Sequence, residues 1–277
     1  MRHAFTVDLE DWYHGIPIDP GTRAGAERRL SVGTDRLLAL LDHHRVRATF
    51  FVLGPIAAEF PHLLRRIADL GHDIGSHGTS HDLLYTMTPE RFRDETRESI
   101  QVIEDCLGRP VDSYRAAYFS LTRESWWALD ILAELGIRYD SSIFPVHNWR
   151  YGIPEFSRRP IRLETANGPI DEFPISVREI AGRAIPAAGG AYFRIYPWML
   201  TRSNLRSAER SSQPVIFYIH PWELDPDHPR VPFHWKSRIT HYVGLGRTIP
   251  RLERMLAEFS FTTLKEALFD ALPGTGS

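Results

Sequence analysis

The chain has 277 residues, 43% hydrophobic and 25% charged, with a formal net charge of -2. That is enough material for one α/β barrel or two small domains, and the near-neutral charge argues against a general nucleic-acid binder. A single cysteine, Cys106, excludes an internal disulfide framework, and no run is long and apolar enough to span a bilayer.

The first residues lead at once into Thr6-Val7-Asp8-Leu9-Glu10-Asp11-Trp12, which leaves no room for a signal peptide and gives the expectation of a soluble cytoplasmic protein. Residues 4–9 read as a strand, and because side chains alternate along a strand, Asp8 and Glu10 share a face. Acids so close together are costly to bury unpaired. One reading is an exposed acidic turn; the other is chemical, with one carboxylate on a metal and another left free as a base. Leu37, Leu38 and Leu41 then mark an amphipathic helix capped by Ser31 or Thr34. Residues 47–53, through Ala48-Thr49-Phe50-Phe51-Val52, form a buried parallel strand. Pro55 opens a helix carrying Ile56, Phe60, Leu63, Leu64 and Ile67 to a stop at Gly71.

The short run His72-Asp73-Ile74-Gly75 delivers Gly75-Ser76-His77-Gly78-Thr79-Ser80-His81. On one helical turn this spacing puts both imidazoles on the same side, within reach of one divalent ion, and the small residues between leave room for substrate or water. The duller reading is a surface pair. Thr88 caps a long helix with Pro89 in its first turn and Phe92, Thr96, Ile103 and Leu107 on one stripe, ending at Gly108. A strand follows at 111–114. Thr122 begins a fourth helix with Trp126, Leu129, Leu132 and Leu135 inward, stopped by Gly136 before a strand at 137–139. Leu70-Gly71 thus precedes His77, Leu107-Gly108 precedes Arg115 and Leu135-Gly136 precedes Asp140. Polar residues recur where parallel strands finish, the rim on which α/β barrels assemble active sites.

The second half is less regular. Residues 144–170 read as an irregular insertion over the rim, rich in Pro, Arg and aromatics. Residues 170–177 alternate like a strand, although Pro174 favours an edge. Gly189-Gly190 marks a turn, 197–210 a helix, and 214–219 a strand that delivers His220. Residues 251–259 and 264–268 read as closing helices, and 273–277 as frayed. No linker or low-complexity tract interrupts the chain, so one domain over 1–277 is expected.

Val-Asp-Leu-Glu-Asp-Trp (7–12), Ser-His-Gly-Thr-Ser-His (76–81), Tyr-Arg-Ala-Ala-Tyr-Phe-Ser (114–120), Tyr-Asp-Ser-Ser-Ile-Phe-Pro (139–145), Gly-Gly-Ala-Tyr-Phe-Arg (189–194) and His-Pro-Trp-Glu-Leu-Asp (220–225) occur in order over almost the whole chain. Together they resemble the polysaccharide deacetylase superfamily, the NodB homology domain of carbohydrate esterase family 4, and most closely its subgroup at exopolysaccharide and exosortase loci. The resemblance implies an α/β fold, a distorted (β/α)7-type TIM-like barrel, that hydrolyses N-acetyl groups of sugars. It implies Asp8 as catalytic base, His77 and His81 as metal ligands, Arg115 as the arginine that orients the base, His220 as general acid, and Asp140 as a residue holding His220 or Arg115. Leu9 stands where a second aspartate is usual, so Glu10 is the third ligand on both family and pleat grounds, with Asp11 as fallback. Ala117 replaces a usual proline, and Tyr218 a common leucine. The implied cofactor is one divalent ion, Zn²⁺ for mixed nitrogen and oxygen ligands.

At the rim, Trp12, His14, Tyr118, Phe119 and Trp222 are read as substrate-binding, since aromatic faces stack on the apolar faces of sugars; simple packing is the alternative. The expected partner is a carbohydrate with an N-acetyl group, with no nucleic acid and no membrane span. Two other functions stay open, an allantoinase-like amidohydrolase of a small amide and a non-catalytic carbohydrate-binding protein on the same barrel.

Overall fold

The structure, a computed structural model, describes residues 1–16, 21, 25–148, 151–180, 182–187, 189–232 and 234–272; the tail read as frayed lies outside them. Strand β1, His3–Leu9, is buried along its whole length. Its period of two sorts it between two cores. Phe5, Val7 and Leu9 join the layer between sheet and helices, while Ala4 joins Phe51, Ile216 and Tyr218 in a second cluster inside the barrel. Thr6 and Asp8 alternate with Val7 and so share the side of Ala4, toward the lumen.

Two parallel neighbours flank β1, with Val7 opposite Phe50 of β2 (Thr49–Val52) and Ile219 of β10 (Ile216–Ile219). The nine-stranded sheet continues from β2 through β3 (Asp73–Ser76), β4 (Ser113–Tyr114), β5 (Tyr139–Asp140) and β7 (Ile170–Glu172), all parallel. Antiparallel β6 (Ile161–Leu163) forms the edge, and β11 (Phe261–Thr262) pairs with β1. The sheet curls into a distorted TIM-like barrel. Beyond β7 the Ile216 N–H donates to Ser176 Oγ at 2.9 Å, which ties the far wall to β10. Strands from both halves of the chain therefore share one sheet.

Helix α1, Leu30–His43, buries Leu37, Leu38 and Leu41 as expected, but neither Ser31 nor Thr34 caps it. The Thr34 hydroxyl donates back to the Leu30 carbonyl, and the N–H groups of Arg29 and Leu30 donate to Asp11 Oδ2 at 2.9 and 3.1 Å. The helix expected over 55–71 breaks into α2 (Gly54–Glu59) and α3 (Pro61–Asp69). Pro61 has no N–H to donate and drives the preceding residue out of helical geometry, so Phe60 sits at φ -126. Helix α4, Pro89–Leu107, follows its sequence signals: the Thr88 hydroxyl accepts from the Arg91 N–H, and Gly108 turns left-handed at φ 67. After Thr122 the chain makes a 3-10 turn, Arg123–Ser125, before α5 (Trp127–Glu134), which leaves Trp126 38% exposed rather than inward.

The segment 144–170 is less irregular than expected, because β6 lies within it. The strand expected over 170–177 stops at Glu172, and the chain resumes extended pairing only at β8 (Val177–Ile180), which forms a separate antiparallel pair with β9 (Arg183–Pro186). Pro174 lies in the gap, without an N–H for the ladder. The remaining helices are α6 (Gly190–Ile195), α7 (Trp198–Arg210), α8 (Trp235–Tyr242), α9 (Thr248–Glu258) and α10 (Leu264–Ala271). Gly189 is required where α6 meets β10, since a Cβ there would stand 2.4 Å from the Tyr218 carbonyl oxygen. Among the described residues no helix is long and apolar enough to cross a membrane.

Candidate active site

β3 ends at Ser76, and the histidine pair follows in a loop rather than on a helical turn: Gly78 and His81 are left-handed, at φ 79 and 59. The loop brings the rings to one point. His77 Nε2 lies 3.0 Å and His81 Nε2 2.8 Å from the same oxygen, Glu10 Oε1. The three ligand atoms all lie within 4.8 Å of one another. His77 Nδ1 sits 2.7 Å from the Arg115 carbonyl, so Nδ1 carries the proton and Nε2 presents a lone pair. A lone pair facing a carboxylate oxygen is repulsive unless a cation stands between them. Two imidazole nitrogens and one carboxylate oxygen are a donor set that suits zinc. Burial would raise the Glu10 pKa, but where protons stand on the two Nε2 atoms in place of an ion, the His81 charge and hydrogen bonds from His77 and His81 outweigh it and hold the carboxyl well below the usual range.

Asp11, the fallback ligand, is committed elsewhere. Its Oδ1 accepts from the Trp12 N–H at 2.8 Å, and its Oδ2 from Arg29 and Leu30. One oxygen is taken by the Trp12 N–H and the other by the start of α1, so Glu10 alone of the two reaches the histidines.

Asp8 leaves the end of β1 under a clamp. Its Oδ1 accepts from a terminal nitrogen of Arg115 at 2.7 Å, and the same nitrogen reaches Thr6 Oγ1 at 2.9 Å. The rest of the guanidinium donates to the Ser141 carbonyl and hydroxyl at 3.2 and 3.0 Å, and its centre lies 4.3 Å from the Phe51 ring centroid. A planar fork held at this many points orients a carboxylate in a way a lysine could not.

His220 follows β10 and faces Asp8, with Nε2 3.8 Å from Asp8 Oδ2. Its Nδ1 lies 2.8 Å from Glu223 Oε1, and Arg194 bonds the other Glu223 oxygen at 2.5 Å. Arg194 is anchored in turn by the carbonyls of Thr240, His241 and Val243. Burial disfavours charge on His220, yet the Glu223 hydrogen bond and the charges of Glu10, Glu223 and Asp8 outweigh it and push its pKa up to about 9. Burial likewise opposes charge on Glu223, and Arg194 with His220 overcomes it, holding that carboxyl at about 2. Sequence reasoning missed Glu223 and Arg194. Both lay inside quoted motifs, and the available signal was a His-x-x-Glu spacing on the turn after a strand. That turn, Pro221–Leu224, packs so tightly on α1 that a Cβ at Gly33 would stand 2.0 Å from the Pro221 carbonyl oxygen.

Asp140 does not hold His220 or Arg115. Its Oδ1 accepts from Ser142 Oγ at 2.6 Å, and its strand partner is Glu172. Both carboxyls are fully buried and both pKa values are raised, by burial first; for Glu172 the charge of Asp140 adds to it, well above the carboxylate range. Two buried carboxyls side by side cannot both ionise, and the pair retains a proton.

These groups open on a cleft of about 740 Å³ lined by Asp8, Glu10, His77, His81, Tyr118 and His220 among others. His14, Phe119 and Trp222 also line it; Trp12 does not. Trp12 is 1% exposed, donates from Nε1 to the Glu27 carbonyl and stacks on His228, so its role is packing. Tyr118 and Phe119 are held at φ 56 and 54, a conformation that costs non-glycine residues of order 1–3 kcal/mol each, and the Tyr118 ring sits 4.6 Å from that of His81. Three tyrosines that sequence reasoning did not single out as substrate-binding, Tyr151, Tyr192 and Tyr218, complete the aromatic lining.

Comparison with known proteins finds likenesses to parts of the chain and to its fold. Residues 19–139 match the family model described as Polysaccharide deacetylase, and residues 141–269 match a second, described as Domain of unknown function (DUF3473). A peptidoglycan deacetylase of Helicobacter pylori is 31% identical over 42% of this chain and 38% of its own length. A peptidoglycan-N-acetylmuramic acid deacetylase of Bacillus subtilis is 42% identical over 29% of this chain and 31% of its own. The matches thus span less than half the length of these curated relatives. A crystal structure from Mycobacterium smegmatis assigned to the polysaccharide deacetylases aligns at TM-score 0.69 and 21% identity over 97% of this chain and 88% of its own. A CE4 family pseudoenzyme mutant with restored activity, its wild type from Bacillus anthracis, aligns at 0.51 and 16% over 96% and 67%. The structural likenesses establish the distorted barrel. The family model and the relatives show that residues 19–139 are similar to the polysaccharide deacetylases.

Proposed function

We propose that this protein is a metal-dependent hydrolase that removes the N-acetyl group of an amino sugar in a polysaccharide or a glycan biosynthetic intermediate and releases acetate. The observation that carries this reading is the meeting at one mouth of Glu10, His77 and His81 with an Arg115-clamped Asp8 and with His220. Glu10 Oε1 and the two Nε2 atoms would hold the ion, Zn²⁺ by its donors; when bound it polarises the acetyl carbonyl and lowers the pKa of water toward about 7.

Asp8 acts as base through Oδ2, the oxygen Arg115 leaves free, and takes a proton from the attacking water. The Tyr118 backbone N–H serves the developing oxyanion. His220, whose charged form the Glu223 carboxylate favours, protonates the amine nitrogen as its bond to the acetyl carbon breaks. An amide nitrogen leaves poorly without that proton. Glu223 fixes the imidazole by Nδ1, so that Nε2 faces the cleft. Tyr118, Phe119 and Trp222, with His14, meet the sugar, and the whole chain works as one domain. On its ordered motifs we assign it to the subgroup at exopolysaccharide loci.

The test is metal analysis of the purified protein with acetate release from N-acetylglucosamine oligomers, run beside ureide substrates. Chelator should abolish release and Zn²⁺ restore it. Activity on ureides alone would favour the amidohydrolase reading, and metal-loaded protein that releases no acetate from any N-acetylated glycan would overturn the proposal.

A further inference from the structure

Exposed apolar side chains gather beside the cleft. Trp235, Ile239 and Val243 are 60%, 43% and 46% exposed, and their spacing by fours lays them on one stripe of α8 and its continuation. α6 packs against α8 and ends on Ile195, 41% exposed. Ile195 lines the cleft together with Ser237 and Thr240 of α8, so the patch borders the mouth.

The stretch of chain that carries this patch has charge of one sign. Residues 228–252 contain Arg230, Lys236, Arg238, Arg247 and Arg251 and no Asp or Glu. Arg251 spends its guanidinium on the carbonyls of Phe193, Arg194 and Tyr196. Arg238 and Arg247 are exposed and have no acidic partner among the described residues. Elsewhere exposed arginines are commonly neutralised, as in Arg91–Asp82, Arg123–Glu155 and Arg158–Glu179.

We propose that this face seats the protein on an anionic lipid surface, with Trp235, Ile239 and Val243 in the headgroup boundary and Arg238 and Arg247 on lipid phosphates. An apolar stripe flanked by basic residues is the pattern of a helix lying in that boundary, and tryptophan is at home there. A second copy fits poorly, because a two-fold interface would set this uncompensated positive face against itself. A bilayer supplies phosphate and hydrocarbon together.

The experiment is co-sedimentation of the full chain with phosphatidylcholine vesicles, with and without phosphatidylglycerol. It reads lipid binding and not acetate release, so its failure leaves the proposed activity untouched. The protein should pellet with the anionic vesicles, and less as salt rises. Arg238→Gln and Arg247→Gln should each weaken partition about fivefold, the equivalent of about 1 kcal/mol per charge near the surface. Trp235→Ser combined with Ile239→Ser should abolish pelleting, with an unchanged circular dichroism spectrum and unchanged turnover of a soluble substrate. No pelleting of the wild type, equal pelleting with neutral vesicles, or binding that survives the double substitution overturns the proposal. So does a dimer in sedimentation velocity that Trp235→Ser disperses, or an acidic protein partner that binds this face while the vesicles do not.

Discussion

Glu223→Gln isolates the charge behind the proposed general acid. The amide keeps the shape of the side chain and an oxygen that His220 Nδ1 can donate to, but it removes a fully buried negative charge 2.8 Å from the ring. In the wild-type protein the environment lifts His220 from 6.5 to about 9, which favours the charged ring by about 3 kcal/mol at 1.36 kcal/mol per tenfold change. Glu223 supplies the hydrogen bond and one of three nearby acidic charges, so its loss should lower the imidazole pKa by about one unit or more. A general acid works while protonated, so activity is present below its pKa and lost as pH rises through it. The alkaline limb of kcat/KM for acetate release should therefore move to lower pH in the variant. A divalent ion beside Glu10 lowers both limbs alike, so the two proteins are compared with the same metal. At a pH above both limbs, the variant's turnover should fall about tenfold below that of the wild type for each pH unit by which the limb moves. Arg194 keeps its carbonyl partners, and far-UV circular dichroism checks the fold. An unmoved alkaline limb in a folded, metal-loaded variant would refute the account of His220.

His77→Ala or His81→Ala should remove bound metal and turnover together, whereas Asp8→Asn should keep the metal and lose about 10²–10⁴ in kcat; metal content beside kcat separates the two, and an active Asp8→Asn protein would falsify the base assignment. Gly33→Ala sets helix propensity, worth about 0.8–1 kcal/mol in favour of alanine, against a Cβ forced to 2.0 Å from the Pro221 carbonyl oxygen. Overpacking of about 1–3 kcal/mol should win, so the melting temperature falls, and a rise would show that α1 moves freely off the turn. The Glu172 carboxyl is held well above the carboxylate range, so the folded protein keeps a proton that the unfolded chain has released. Stability from this group is thus full below the unfolded value of 4.5 and is lost as pH rises toward the folded one. Glu172→Gln should flatten the fall of the melting temperature with pH above that point, and parallel curves for variant and wild type would refute it.

The strands that build the barrel wall were legible because β1, β2 and β10 are buried on both faces and read as apolar runs. Polar residues at strand ends pointed to the mouth, and Asp8, Glu10, His77, Arg115 and His220 do meet there. What failed were readings that needed knowledge of a non-local partner. The cap of α1 comes from Asp11, nineteen residues before Leu30, which no local pattern announces. Spacing by four suggested a helix at His77 and His81, but Gly78 and left-handed backbone satisfy the same convergence from a loop. Asp140 was placed by its motif toward the catalytic groups, yet its nearest acid, Glu172, reaches it only through strand pairing. Trp12 reads the same on paper whether it faces sugar or core. Glu223 and Arg194 are far apart in sequence and gain meaning only once α6 is seated against the end of β10.

Arg115 holds the base with its side chain and orients a metal-binding imidazole with its own carbonyl. Both anchor points belong to one residue at the tip of β4, so when the barrel mouth breathes, Asp8 and His77 ride on a common pivot and keep their spacing. Motion at this rim should widen or narrow the doorway for the sugar while the distance between nucleophile activation and carbonyl polarisation stays constant.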